Sequence, residues 1–297
     1  MELCLGTVQF GMDYGVFNQK KKDVDYCIKC LDYATQNGIH AIDTATAYGI
    51  AEEVTGEFLA KKTIEREKLF LSTKLTPNCL DDVLPSDYEK VIYEHLLKSL
   101  DTLNTDYVDV YFLHSSRYAH NKEILEALQC VKEKGLAKEV GVSIYYEDEA
   151  IACMNNPLVQ YVQAPFSVFD HRMKDVGLFD ESTRGKLKVD SRTTFVKGLI
   201  KLPIDQVPEH LEKAKPILKK LDEISAETGY SRIELAIGYV KNQVGIEHLV
   251  FGVRDIEQLK QDIEAFRMNL PKDVINALED AFTDVDTDIV VPSLWKK

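Results

Sequence analysis

The chain has 297 residues, 45% of them hydrophobic, and a formal net charge of −13, a composition that supports a large core and excludes a disordered or fibrous protein. A chain this acidic offers no electrostatic footprint for a nucleic-acid backbone or an anionic membrane surface, so an anionic ligand must be held by local arginines and lysines. The first residues carry no basic segment ahead of a long apolar stretch, and no window approaches the roughly 20 apolar residues that span a bilayer; the expectation is a cytoplasmic protein.

Short apolar runs alternate with longer amphipathic ones along the whole chain. Leu3 to Leu5 predicts a strand, and Asp23 to Gln36 a helix that stops at Asn37-Gly38. Within that helix Val24, Cys27, Ile28, Leu31 and Ala34 form one apolar stripe. The Cys27-x-x-Cys30 pair therefore reads as packing rather than as a redox or metal motif, and no second pair completes a zinc site. Six cysteines in a chain of this length make no disulfide scaffold.

Further strands are expected at Ile39 to Asp43, Leu69 to Thr73, Val108 to Leu113, Glu139 to Ser143, Val159 to Gln163, Leu187 to Arg192 and Leu249 to Gly252. They are short and rich in β-branched or aromatic residues, as strands covered on both faces are. Helical periodicity fills Tyr88 to Leu103, Lys122 to Lys134, Val207 to Thr228, Ser231 to Asn242, Ile256 to Phe266 and Pro271 to Phe282. Ser231 and Glu234 form a capping box. Eight strands alternating with helices call for parallel pairing with right-handed crossovers, in a closed barrel or an open doubly wound sheet. No G-x-G-x-x-G follows the first strand, and no linker divides the chain, so a single-domain (β/α)8 TIM barrel is expected. The stretch between Arg192 and Leu249 exceeds one unit and predicts an extra helix outside the barrel.

In such a barrel the active site forms at the C-terminal ends of the strands. Polar residues stand where three successive apolar runs stop: Asp43 and, five residues on, Tyr48; Lys74; and His114. Each has an ordinary alternative, such as a helix cap for Asp43 and packing or surface roles for the others. Together they make chemical sense. A tyrosine hydroxyl titrates near 10, roughly three units above cellular pH, and a neighbouring ammonium lowers that value. Asp43 pairs the ammonium, and His114 orients an acceptor oxygen. Such a set donates a proton to a carbonyl oxygen as hydride reaches the carbon.

The segments D-T-A-T-A-Y-G, S-T-K, D-V-Y-F-L-H and G-V-S resemble, in order and separation, the signature segments of the aldo-keto reductases, over Leu3 to about Phe266. The resemblance implies an NADPH/NADP+ cofactor in preference to NADH, bound without a Rossmann domain and without metal. It implies reduction of an aldehyde or ketone, with Tyr48 as general acid, Lys74 lowering its pKa, Asp43 pairing the lysine, and His114 orienting the carbonyl. It also places Thr7, Ser143 and Gln163 beside the nicotinamide, and Phe195, Gly252, Arg254, Gln258 and Asp262 along the rest of the nucleotide. Arg254 falls where the 2'-phosphate is contacted, ahead of a helix N-terminus. Three positions depart from the family's habit: Ile144 where Asn is frequent, Arg192 where an aromatic ring stacks on the nicotinamide, and Asp262 where Asn is usual. Asp keeps the acceptor of Asn but loses the donor, and an exposed helix face is the alternative placement for Asp262.

Phe10, Tyr14, Phe17, Tyr145 and Tyr146 are candidates for the mouth, where the partner is a small carbonyl substrate; sugar-derived aldehydes and keto sugars are among the compatible ones. Trp295 either folds over the pocket or anchors the tail. Two other functions fit parts of the pattern: a barrel lyase using Lys74 as a Schiff-base nucleophile, and a non-catalytic nicotinamide-nucleotide sensor. Neither monomer nor homo-oligomer is favoured by the sequence.

Overall fold

Apolar runs of three to seven residues that are buried on both faces close on themselves when each is followed by a covering helix. In the computed structural model, which describes residues 1–16, 20 and 22–295, they do so as β1 (Glu2–Gly6), β2 (Ala41–Asp43), β3 (Phe70–Leu75), β4 (Val108–Leu113), β5 (Ala137–Ser143), β6 (Tyr161–Pro165), β7 (Lys188–Arg192) and β8 (His248–Gly252). These strands form a closed parallel barrel in sequential order, with β1 pairing β8. The register sets Asp43 opposite Ser72, Lys74 opposite Phe112, and Ser143 opposite Gln163.

Side chains alternate between the barrel interior and the helical layer. Cys4, Ala41 and Val250 pack together, as do Val110, Phe112 and Tyr161, with Phe70 touching both groups. Tyr161 also donates to Asp190 Oδ1 at 2.9 Å, and His248 Nδ1 lies 2.8 Å from the same oxygen. The outward-facing positions belong to one large core shared with the surrounding helices. Cys27 and Cys30 are fully buried there, on the helix Val24–Gln36.

The helices Tyr88–Leu103, Lys122–Glu133, Arg232–Asn242, Ile256–Arg267 and Lys272–Ala281 lie where periodicity placed them. The Ser231 box is formed: Glu234 N donates to Ser231 Oγ at 3.3 Å, and Ser231 N donates to Glu234 Oε2 at 2.6 Å. One expectation is corrected. The helix predicted from Val207 begins at Lys215, preceded by short 3-10 turns at Ile204–Gln206 and Glu209–Ala214. Pro216 has no N–H to donate to Glu212 O and fits only the first turn of a helix, which sets the start at Lys215, and Leu211 leaves helical geometry at φ −115°, ψ 17°. The long connection from β7 to β8 carries the extra helix expected of it, Lys215–Thr228 followed by Arg232–Asn242. Trp295 packs on the core and donates from Nε1 to Ile289 O at 3.1 Å, so it anchors the tail. Among the described residues no helix is long and apolar enough to cross a membrane.

Among the described residues, two α-helices of eight residues or more fall outside the sequence expectation, Ala51–Ala60 and Glu147–Met154. The first packs against Tyr88–Leu103 so closely that a Cβ on Gly56 would lie 2.0 Å from Thr102 O. Gly56→Ala must push the two helices apart. It is expected to cost about 2 kcal/mol or more of stability, read as a lowered urea midpoint with an unchanged slope.

Candidate active site

The C-terminal rim of the barrel holds a cavity of about 580 Å³, within the range of small-molecule and cofactor sites. At its floor Lys74, with no solvent exposure, donates to both Asp43 oxygens at 2.6 and 2.7 Å and to Thr44 O at 3.0 Å. The three ammonium hydrogens are thereby used. Asp43 accepts two more bonds through Oδ1, from Ser72 Oγ at 2.9 Å and from Gln163 Nε2 at 2.8 Å. Thr7 Oγ1 donates to Asp43 O at 3.1 Å. Alternation along β2, β3 and β6 aims these side chains at one point, so three strands hold a single ion pair.

Above it, Tyr48 and His114 meet edge to face, ring centres 5.6 Å apart, with Lys74 Nζ 5.0 Å from the centre of the Tyr48 ring. Both rings line the cavity with Asp43. The four predicted residues thus converge. Their electrostatics differ in one respect from the expectation that Lys74 lowers the pKa of Tyr48. The phenol is pushed well above its ordinary value, by burial first and by the Asp43 charge second, and the cation that opposes the shift is Arg192. His114 moves the other way, down to about 3, because burial and then Lys74 disfavour the imidazolium. At neutral pH the site presents a protonated phenol and a neutral imidazole.

Arg192 ends β7 at the cavity wall. Its guanidinium carbon lies 4.2 Å from the centre of the Tyr145 ring, and Nη2 donates to Ile144 O at 2.5 Å. The backbone that follows is strained: Thr193, Val196 and Lys197 have φ of 68°, 46° and 56°, the first two of them β-branched. This segment forms the wall towards Gly198 and Lys201, and it meets the chain after β1 where Val16 N donates to Lys197 O at 3.2 Å.

The far end of the cavity is lined by Phe195, Lys201, Gly252, Arg254, Gln258 and Gln261. Gln258 Oε1 accepts from Arg254 N at 3.1 Å, and Asp255 caps the helix Ile256–Arg267 by accepting from Gln258 N at 2.9 Å. Ser143 and Gln163 reach the cavity surface, whereas Thr7 and Asp262 stand behind it. Asp262 is wholly buried, which removes its placement on an exposed helix face. It holds Lys201 Nζ at 2.9 and 3.0 Å, while Lys201 Nζ sits 3.6 Å from the centre of the Phe195 ring. Burial raises the Asp262 carboxyl to about 6 against the lowering effect of Lys201. Lys201 and Gln261 were missed in the sequence; the exchange of Asn for Asp at 262 was a sign that a cation stood near.

Of the mouth candidates, Tyr14 and Tyr145 line the cavity. Phe10 belongs to the core instead, because the short helix Val8–Gly11 turns its ring inward, and Tyr146 is exposed at 37% outside the cavity wall. Phe17 lies outside the described residues. Among the described residues, four buried polar atoms close to the cavity have no hydrogen-bond partner: Gln9 Oε1, His114 Nδ1, Arg192 Nε and Thr194 Oγ1. A cavity with cations at both ends and unmatched polar atoms along it fits an elongated, polar, anionic ligand such as a nicotinamide nucleotide.

A profile of the Aldo/keto reductase family matches residues 2–282. The uncharacterized oxidoreductase YqkF of Bacillus subtilis is 28% identical over 94% of this chain and 91% of its own length. Norsolorinic acid reductase A of Aspergillus parasiticus is 26% identical over 94% of this chain and 77% of its own. Among solved structures, an aldo-keto reductase of Bacillus halodurans in its holo form superposes with a TM-score of 0.78, at 22% identity, over 97% of this chain and 95% of that one.

The depressed His114 value has a measurable sign. Its folded pKa lies below that of an unfolded histidine, so its contribution is present above about 6.5 and lost as pH falls from there towards 3. The His114 ring signals are expected to stay in the neutral position from pH 8 to pH 5 in an NMR titration, and His114→Gln is expected to lose less stability than the parent over that acid range.

Proposed function

The chain belongs to the aldo/keto reductase family, and on that premise we propose that it reduces an aldehyde or ketone to an alcohol with NADPH, using Tyr48 as the proton donor. The observation that carries this reading is the convergence of Tyr48 and His114 over the buried Asp43–Lys74 pair at one end of a cavity whose other end holds Arg254 and Lys201. When bound, the nucleotide supplies hydride to the carbonyl carbon.

The side chains do the rest. Neutral His114 donates one hydrogen bond to the carbonyl oxygen and holds it near the Tyr48 hydroxyl. Tyr48 is protonated before the reaction and gives its proton to the oxygen as negative charge develops there. Arg192 eases that transfer by favouring the phenolate, while the Asp43–Lys74 pair keeps water and stray charge from the floor. Ser143 and Gln163 bear on the carboxamide at the reacting end. Arg254, at the start of the helix Ile256–Arg267, bears on the 2'-phosphate, where a bidentate fork and a helix N-terminus act together. Lys201 adds a second cation beside it, with Asp262 behind.

The lyase alternative fares poorly because Lys74 has no exposed surface and donates to three oxygens, which leaves no amine to attack a carbonyl. A sensor without turnover makes a different prediction for Tyr48. Tyr48→Phe is expected to lower the rate of NADPH oxidation with an aldehyde by 10²- to 10⁴-fold, the usual weight of a positioned acid, with nucleotide affinity nearly unchanged. A parent protein that binds NADPH but turns over no carbonyl compound would establish the sensor. Arg254→Ala is expected to weaken NADPH binding about tenfold or more while leaving NADH within twofold, since a charge-assisted phosphate contact contributes about 1.5–3 kcal/mol. Fluorescence titration of both nucleotides reads the difference.

A further inference from the structure

Charge is unevenly matched at the reacting end of the cavity. Asp43 and Lys74 neutralise each other, His114 is neutral, and the phenols of Tyr48 and Tyr14 are both pushed up by burial and remain protonated. Arg192 is left. Among the described residues no carboxylate lies within ion-pair distance of it, and its polar partners are the Ile144 carbonyl and, at 3.0 Å from Nη1, the Thr193 hydroxyl. Its Nε is buried without an acceptor. A guanidinium carries five N–H donors in a planar fork, so the edge of the group has donors unused while Tyr145 covers one face at 4.2 Å.

A positive charge without a counter-ion is costly in a cavity poor in water. It is also unusual in a protein of net charge −13. The groups that feel it are Tyr48, His114 and Tyr14, all at the reacting end rather than beside Arg254. We propose that the carbonyl substrate carries an anionic group, a carboxylate or a phosphate, close to its carbonyl, and that Arg192 selects it through the open edge of its guanidinium. This rests on the reductase reading above. The packed position of Arg192 supports the assignment: Tyr145, Ile144 O and Thr193 Oγ1 fix the fork before any substrate arrives, so little side-chain entropy is lost on binding.

The test compares matched substrates under NADPH: 3-carboxybenzaldehyde against methyl 3-formylbenzoate, and glyceraldehyde 3-phosphate against glyceraldehyde. In the parent protein kcat/KM is expected to favour the charged member of at least one pair by tenfold or more; the pair that does so separates carboxylate from phosphate. Arg192→Gln is expected to bring that ratio close to one: both substrates lose what the phenolate-favouring charge contributed, the charged one loses at least tenfold more, and NADPH affinity stays within threefold of the parent. Arg192→Lys should recover part of the preference. Equal kcat/KM within both pairs of the parent would overturn the proposal, as would an equal loss for charged and neutral substrates in Arg192→Gln. A fall in NADPH affinity as large as the loss for the charged substrate would overturn it too, and would assign Arg192 to the nucleotide. If NADPH binds and no member of either pair is turned over, the reductase reading fails and takes this proposal with it. A thermal melt of Arg192→Gln matching the parent's shows that the ratios come from folded protein.

Discussion

A carboxylate and an ammonium, both almost without solvent exposure, face each other at the top of the barrel, and the geometry of the site depends on them. Neither is tolerable there alone: removing one partner of a buried pair costs about 3–5 kcal/mol because the other charge is left unmatched. The pair is further tied by Ser72, Gln163 and the Thr44 carbonyl. Strands β2, β3 and β6 are thereby held in one register around a single point, and Tyr48 and His114 are packed against a floor that cannot shift without breaking several bonds. Burial and the Asp43 charge keep the Tyr48 phenol protonated, and the cation set against them is Arg192 at the end of β7, while Lys74 bears on His114 and helps to hold its imidazole neutral.

The cavity therefore has two electrostatic ends with different construction. At the far end a lysine is compensated by a buried aspartate and sits on an aromatic face, beside Arg254. At the reacting end the arginine has no counter-ion among the described residues. Two of the three positions that set this chain apart in sequence, Arg192 and Asp262, lie at these ends and alter charge rather than shape. Substitution at such positions changes what the cavity accepts while leaving the barrel intact, as the strands that carry Lys74 and His114 are untouched by either.

The strands were legible because burial on both faces forces short, continuous apolar runs, and that pattern survives without any knowledge of neighbours. Asp43, Lys74 and His114 were legible for the same reason, since each stands where such a run stops, and Tyr48 follows Asp43 by five residues in the D-T-A-T-A-Y-G segment. Helices were harder where local signals were weak. Ala51–Ala60 starts at Ile50 with no side-chain cap and carries Gly56 in its middle, where close packing on Thr102 rather than propensity decides the outcome. Glu147–Met154 opens on three acidic residues and spans only eight positions. Val207 to Thr228 looked continuous because its periodicity persists across Pro216, which fits only the first turn of a helix and so divides the span at Lys215. The pairing of Lys201 with Asp262 joins positions 61 apart, and the orientation of Arg192 on Tyr145 depends on two loops meeting. Contacts of this kind are products of the closed barrel and leave no periodic trace in the chain.

The central claim is that this cavity brings a carbonyl carbon to a nicotinamide with Tyr48 beside the oxygen. It is tested most directly by incubating the protein with NADPH dideuterated at C4 and 3-carboxybenzaldehyde, and locating the label in the product by mass spectrometry and NMR. The account predicts an alcohol carrying one deuterium on its carbinol carbon, with none washed into solvent. Alcohol formed without the label, or no alcohol from protein that binds the nucleotide, would contradict it.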